Sequence, residues 1–172
     1  MQIESKQVER WDVFEVSLNS SRSYDNPFTE VELRATFVNG EARKEVKGFY
    51  DGDSTWKIRF MPEKVGKYSF EVSSNNEDLD GEQGTFTCIE AETENNHGPV
   101  QVDEENKNRF VYADGDPCFI MGTTVYSWTY RPREVRQKTL ESVSKYDFNK
   151  VRMLVYPKHL EGMSEIKLSY EA

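Results

Sequence analysis

EVELRATFV, residues 30–38, alternates without a break as far as Phe37. Val31, Leu33, Ala35 and Phe37 fall on one side, and Glu30, Glu32, Arg34 and Thr36 on the other. Successive side chains of an extended chain point to opposite faces, so a period of two marks a strand with one face in a core and one in water. Upstream, VERWDVFEVSL (residues 8–18) carries the same pattern on Val8, Trp11, Val13, Phe14, Val16 and Leu18, with one break near Trp11–Val13. Downstream come KEVKGFYD (44–51), STWKIRFMP (54–62), GKYSFEVSS (66–74) and GTFTCIEA (84–91). Turn residues separate them: Asn39-Gly40, Asp51-Gly52-Asp53, Pro62 to Gly66, and NNEDLDGEQG (75–84). Short strands at this regular spacing, with no helical pattern among them, predict an antiparallel sandwich of immunoglobulin-like size. The Cys–Trp–Cys pattern of antibody-type domains is absent.

The character changes at EAETENNHGPVQVDEENKNRF (90–110), which is acidic and polar and reads as a junction with short extended pieces at PVQV and RFVYA. From Cys118 the pattern changes again. CFIMGTTVY (118–126) is a continuous apolar run, expected of a strand buried on both faces. Pro132 opens a helical stretch over 132–147 that places Val135, Thr139, Val143 and Tyr146 on one stripe with Leu140 beside it. KVRMLVY (150–156) is a second apolar strand. Strand, helix and strand form a βαβ unit, whose strands are expected to be parallel with a right-handed crossover. The expected organisation is therefore an all-β immunoglobulin-like sandwich over 1–92, a linker with short strands over 93–116, and over 117–172 a βαβ fragment of an incomplete (β/α) barrel.

Composition narrows the function. The 172 residues carry a net charge of −9 and a pI near 4.9, which disfavours phosphate backbones and anionic membranes as partners. Neutral sugars and basic partners remain. No run is long and apolar enough to span a bilayer, and MQIESKQVERW lacks the charged start and apolar core of a secretory signal. Cys88 and Cys118 make neither a disulfide framework nor a zinc set and are expected as free buried thiols. These features point to the cytoplasm. Asp51-Gly52-Asp53 reads as a hairpin turn, because the later Gly and distal Glu of a calcium loop are missing. His97 and His159 each lack a second ligand at metal spacing. No phosphate loop or nucleophile elbow is present. Neither a cofactor nor a metal is expected.

Position supplies the remaining candidates. In a (β/α) barrel the site lies at the carboxyl ends of the strands. Those ends carry Tyr126, Trp128 and Tyr130 after the first strand, and Arg152, Tyr156, Lys158 and His159 in and after the second. Aromatic faces stack on sugar rings, or they pack against neighbouring helices; both readings stand. Arg152 interrupts apolar neighbours, where an unpaired charge is costly. It therefore either faces the barrel mouth toward a carboxylate or lies on an edge strand.

GFYDGDSTWKIRFMPEKVGKYSF, followed by NHGPVQV and FVYADGDPCFIMGTTVYSWTY, resembles the immunoglobulin-like N-terminal domain of unknown function (domain 5060) that precedes the barrel of certain bacterial glycoside hydrolases, apiosidase-like or cellulase-like. The resemblance runs from about residue 8 to about residue 158. FNKVRMLV is similar to the second-strand signature of cellulase-like barrels, whose Arg reaches the catalytic nucleophile; the matching residue is Arg152. The resemblance implies oligosaccharide hydrolysis by two carboxylates ending the fourth and seventh strands. This chain matches only as far as the second strand, so no catalytic residue is carried over, and Glu161, Glu165 and Glu171 are not assigned to that role. The substrate-binding candidates are Tyr126, Trp128, Arg152, Tyr156 and Lys158. Three outcomes are open: the N-terminal portion of a glycoside hydrolase, cut short and inactive alone; a non-catalytic carbohydrate-binding or chain-docking sandwich; or a remnant without activity. Self-association, or pairing with a missing barrel segment, is expected to cover the open βαβ sheet.

Overall fold

The computed structural model describes residues 1–3 and 5–154. Two antiparallel-rich sheets pack face to face. One is ordered β1 (Gln2–Ile3), β3 (Phe14–Asn19), β7 (Thr55–Phe60), β6 (Phe49–Gly52), and the other β2 (Gln7–Glu9), β9 (Gln83–Ile89), β8 (Gly66–Ser74), β4 (Leu33–Asn39), β5 (Ala42–Lys47). This is the expected β-sandwich. Leu33, Ala35 and Phe37 of β4 are all buried. The inward residues of both sheets form one core of Phe14, Val16, Leu18, Phe37, Trp56, Ile58, Phe70, Val72 and Phe86 with their neighbours. Aromatic rings make the contact between sheets. Phe14 stacks on Phe86 at 3.8 Å, and Phe37 stacks on Phe60 at 4.1 Å.

The break near Trp11–Val13 is where the chain changes sheets. Strand β2 pairs in parallel with β9, and β3 pairs antiparallel with β7. Between them Trp11 takes φ +69°, and its N–H donates to the Pro62 carbonyl at 2.8 Å. The corner turns Val13 outward, 52% exposed, so Val13 does not join the buried face that the alternation assigned to it. The β6–β7 hairpin also differs from expectation. Gly52 pairs with Thr55, so the two loop residues are Asp53 and Ser54, both at positive φ, the geometry of a type I′ turn that matches strand twist. The irregularity between Tyr50 and Gly52 moves the turn beyond Asp51-Gly52-Asp53. A short helix α1 (Pro27–Glu30), capped by the Asn26 side chain, lies between β3 and β4.

On the outer face of the β3–β7 pair, Glu15 accepts from Arg59 Nε at 2.6 Å and meets Lys57 Nζ at 3.1 Å. Lys57 also reaches Asp51 at 2.7 Å. Burial pushes the Glu15 carboxyl up, but the hydrogen bonds from Arg59 and Lys57 outweigh it and hold it below its ordinary value. A depressed carboxylate stabilises the fold above its unfolded pKa, and that stability is lost as pH falls through the folded value. Glu15→Gln is therefore expected to lower stability by about 1 kcal/mol near neutral pH, with the difference from the parent vanishing in acid; urea unfolding at pH 7 and pH 3 checks this.

The described residues divide into two compact units: Met1–Val102 with Val111–Asp116, and Asp103–Phe110 with Pro117–Leu154. Strands β10 (Val100–Val102) and β11 (Phe110–Tyr112) form a two-stranded sheet, with the 112–116 turn following. In the second unit, β12 (Gly122–Thr124) and β13 (Lys150–Arg152) pair in parallel, and α2 (Arg133–Val143) lies between them in sequence. The helix starts one residue after Pro132, which stands at the N-cap position with φ −49° and ψ 150°. Strand β12 is shorter than the apolar run predicts. Phe119, Ile120 and Met121 precede it and are exposed, Phe119 to 75%. No helix among the described residues is long and apolar enough to cross a membrane. Cys88 and Cys118 are free and buried.

Candidate functional site

The β12–β13 ladder decides which side chains share a face. Gly122, Thr123 and Thr124 lie opposite Lys150, Val151 and Arg152. The ladder continues beyond the strands: Val125 N–H donates to the Arg152 carbonyl at 2.9 Å, and Leu154 N–H to the Tyr126 carbonyl at 3.0 Å. Thr123 and Val125 line a cleft of about 390 Å³ with Val135, Thr139, Val143 and Tyr146, so this face of the pair looks toward α2. Alternation then places Thr124, Tyr126 and Arg152 on the opposite face. The Arg152 guanidinium lies 5.2 Å from the Tyr126 ring centre, and both side chains are exposed. A cation over an aromatic face is attracted by the ring quadrupole. The result is a cationic and aromatic patch at the carboxyl ends of two parallel strands.

Trp128 follows Tyr126 by two residues. It opens a 3-10 turn (Trp128–Tyr130), and its indole N–H donates to the Arg136 carbonyl of α2 at 3.0 Å. Thr129 Oγ1 donates to the Leu154 carbonyl at 3.3 Å. The turn after β12 is thus tied to the helix and to the residues after β13. Tyr156 and Lys158 lie outside the described residues.

Asn149, in the FNKVRMLV stretch, makes three hydrogen bonds. Its Oδ1 accepts from Met121 N–H at 2.9 Å, its Nδ2 donates to the Phe119 carbonyl at 2.6 Å, and its backbone N–H donates to the Met121 carbonyl at 3.0 Å.

His97, which has no partner at metal spacing in the sequence, has partners in the fold. Nδ1 lies 2.7 Å from Asp114 Oδ2 and 3.5 Å from Asp116 Oδ2, and the ring packs against Tyr112 with centres 5.2 Å apart. Asp114 N–H also donates to the His97 carbonyl at 3.3 Å. One ligand atom from each of the three residues lies within 4.8 Å of the others, a set that could hold a cation. A proton between imidazole and carboxylate accounts for the 2.7 Å approach without one. The hydrogen bond to Asp114 raises the His97 pKa, against a smaller lowering by burial. The Asp116 N–H and His97 hold Asp114 below its ordinary value. A raised histidine stabilises the fold fully below its unfolded pKa of about 6.5 and ceases to do so as pH rises through the folded value. The urea midpoint is therefore expected to fall as pH rises from about 6.5 through the folded value and to level off beyond it, and Asp114→Asn is expected to flatten the dependence; a His97 imidazole that titrates at the ordinary value would contradict this.

Residues 7–75 match the family model described as a domain of unknown function, DUF5060. No curated protein matches the chain. The chain is similar to the crystal structure of a "putative glycoside hydrolase" from Bacteroides vulgatus ATCC 8482, with 43% identity over 91% of this chain and a TM-score of 0.80. It spans 30% of the length of that protein. A likeness to the Lin-41 filamin domain, at 16% identity, 52% of this chain, 92% of that chain and a TM-score of 0.38, carries no argument.

Proposed function

We propose that the chain is the N-terminal portion of a glycoside hydrolase, an immunoglobulin-like sandwich followed by the first strand–helix–strand of a (β/α) barrel, and that it is inactive by itself. The observation that carries this reading is the parallel β12–β13 register, which sets Arg152 and Tyr126 together on the face away from α2. In a barrel that face is the interior, and the carboxyl ends of its strands hold the site. Similarity to the Bacteroides vulgatus protein supports the same reading.

In the complete protein Arg152 lies beside the nucleophilic carboxylate. A guanidinium at that distance favours the charged form and keeps the nucleophile ready for attack. Tyr126, Trp128, Tyr156 and Lys158 contact the sugar through ring stacking and hydrogen bonds. Two carboxyl groups about 5–5.5 Å apart would give retention and a wider pair inversion. Both belong to strands beyond the second. Exposed Phe119, Ile120, Met121, Val151 and Met153 support a sheet that further barrel strands cover, or a second copy of the chain.

A panel of aryl glycosides and oligosaccharides tests the proposal. The 172-residue chain is expected to show no turnover, and the protein with a complete barrel to hydrolyse at least one substrate. Arg152→Ala in that protein is expected to lower kcat/KM about 100-fold or more, the range for loss of a preorganised charge. Turnover by the chain alone, or none by the complete protein, overturns it. Sedimentation of the chain distinguishes a dimer that covers the open sheet from a monomer.

A further inference from the structure

We propose that Asn149 sets the register of β13 against β12 and thereby positions Arg152. A parallel pair has no hairpin to fix its alignment, because its strands are joined by a long crossover. Here that crossover runs through α2. The ladder itself is three residue pairs long, extended only by the Val125 N–H to Arg152 carbonyl and Leu154 N–H to Tyr126 carbonyl bonds among the described residues. Burial gives it little further guidance, since Val151 and Met153 on one face and Arg152 on the other are all exposed. Neither face of β13 is strongly held by a core among the described residues.

The Asn149 carboxamide supplies the missing alignment. Its acceptor takes the Met121 N–H and its donor meets the Phe119 carbonyl, two backbone groups two residues apart on the segment that leads into β12. The backbone N–H of Asn149 meets the Met121 carbonyl as well. These contacts grip one residue pair, immediately before Gly122 opposite Lys150. Shifting β13 by one residue breaks both side-chain bonds and, because side chains alternate, turns Arg152 to the α2 side and brings Val151 or Met153 beside Tyr126. Asn149 is thus a positioning residue for Arg152. The register claim stands on the hydrogen bonds alone, and only its consequence for sugar hydrolysis rests on the function proposed above.

The Arg152 side-chain NMR signals report the register directly, because a proton held over the Tyr126 ring is shifted upfield. Tyr126→Leu provides the unshifted reference. In Asn149→Ala the Arg152 signals are expected to move to that reference and the Thr123–Val151 cross-strand contacts to disappear, while the core signals of Phe14 and Phe37 stay in place. Arg152 signals and cross-strand contacts left unchanged overturn the proposal. If Asn149→Ala also loses the amide protection of α2, Asn149→Asp decides, since it keeps the acceptor for Met121 and replaces the donor to Phe119 by a carboxylate oxygen that the Phe119 carbonyl repels. Unmoved Arg152 signals in that variant overturn the proposal, and moved signals support it. Neither result depends on whether the complete protein cleaves a glycoside.

Discussion

Phe37→Ala is expected to destabilise the sandwich by about 3–5 kcal/mol, the range for removing a fully buried aromatic ring. The cost falls at this position because the ring joins the two sheets. It stacks on Phe60 at 4.1 Å, meets Phe14 edge-on at 6.1 Å, and lies 5.6 Å from Phe70 and 6.3 Å from Phe86. Only 1% of the residue is exposed. Its neighbours on β3, β7, β8 and β9 are held by ladder hydrogen bonds and cannot close the space it leaves. Domains of ordinary stability have about 5–15 kcal/mol in total, so the variant is expected to unfold at a much lower urea concentration than the parent. Val13→Ala is the reference: an exposed position outside such a cluster should change stability by about 0.5 kcal/mol or less. A Phe37→Ala midpoint close to that of Val13→Ala would mean that the sheets are not joined through this ring.

Gly98→Ala is expected to cost about 2–5 kcal/mol, from two sources that add. Gly98 has φ +75°, where an L side chain costs roughly 1–2 kcal/mol. An added Cβ would also stand 2.5 Å from Trp11 Cδ2 and 2.9 Å from Ala113 Cβ, and overpacking of that kind costs about 1–3 kcal/mol. Trp11 has little room to yield. Its backbone is bonded to Pro62, and the Arg10 guanidinium lies 3.8 Å over its ring. Gly40 separates the two sources, because it has φ +59° and nothing within 4 Å of an added Cβ. Gly40→Ala should therefore show the backbone cost alone. Equal midpoints for the two variants would show that the Trp11 contact contributes nothing.

The strands of the sandwich were legible because alternation is local. Leu33, Ala35 and Phe37 declare their face within five residues, and the core residues of β3, β7, β8 and β9 do the same. Errors fell where a turn intervenes. Val13 keeps the apolar pattern, but the left-handed Trp11 corner rotates it outward. The β6–β7 turn moved because an irregularity at Tyr50–Gly52 uses residues that composition alone assigns to the loop. The candidate site was legible in part. Arg152 stood out as a charge among apolar residues, and its pairing with Tyr126 needed a register. His97 looked isolated because Asp114 and Asp116 lie 17 and 19 positions away, and nothing in the local pattern links them.

The order of residues by itself determined the two-faced strands, the aromatic core, the change from alternating to continuous apolar runs near Cys118, and the acidic surface. Each of these is a property of a short window and its contact with water. Only the tertiary structure decided which strands are neighbours, where the chain changes sheets, that Asp114 meets His97, and that Asn149 holds β13 so that Arg152 faces away from α2. These depend on pairings across long separations, whose alignment is chosen by hydrogen bonds and packing formed only when the distant segments meet.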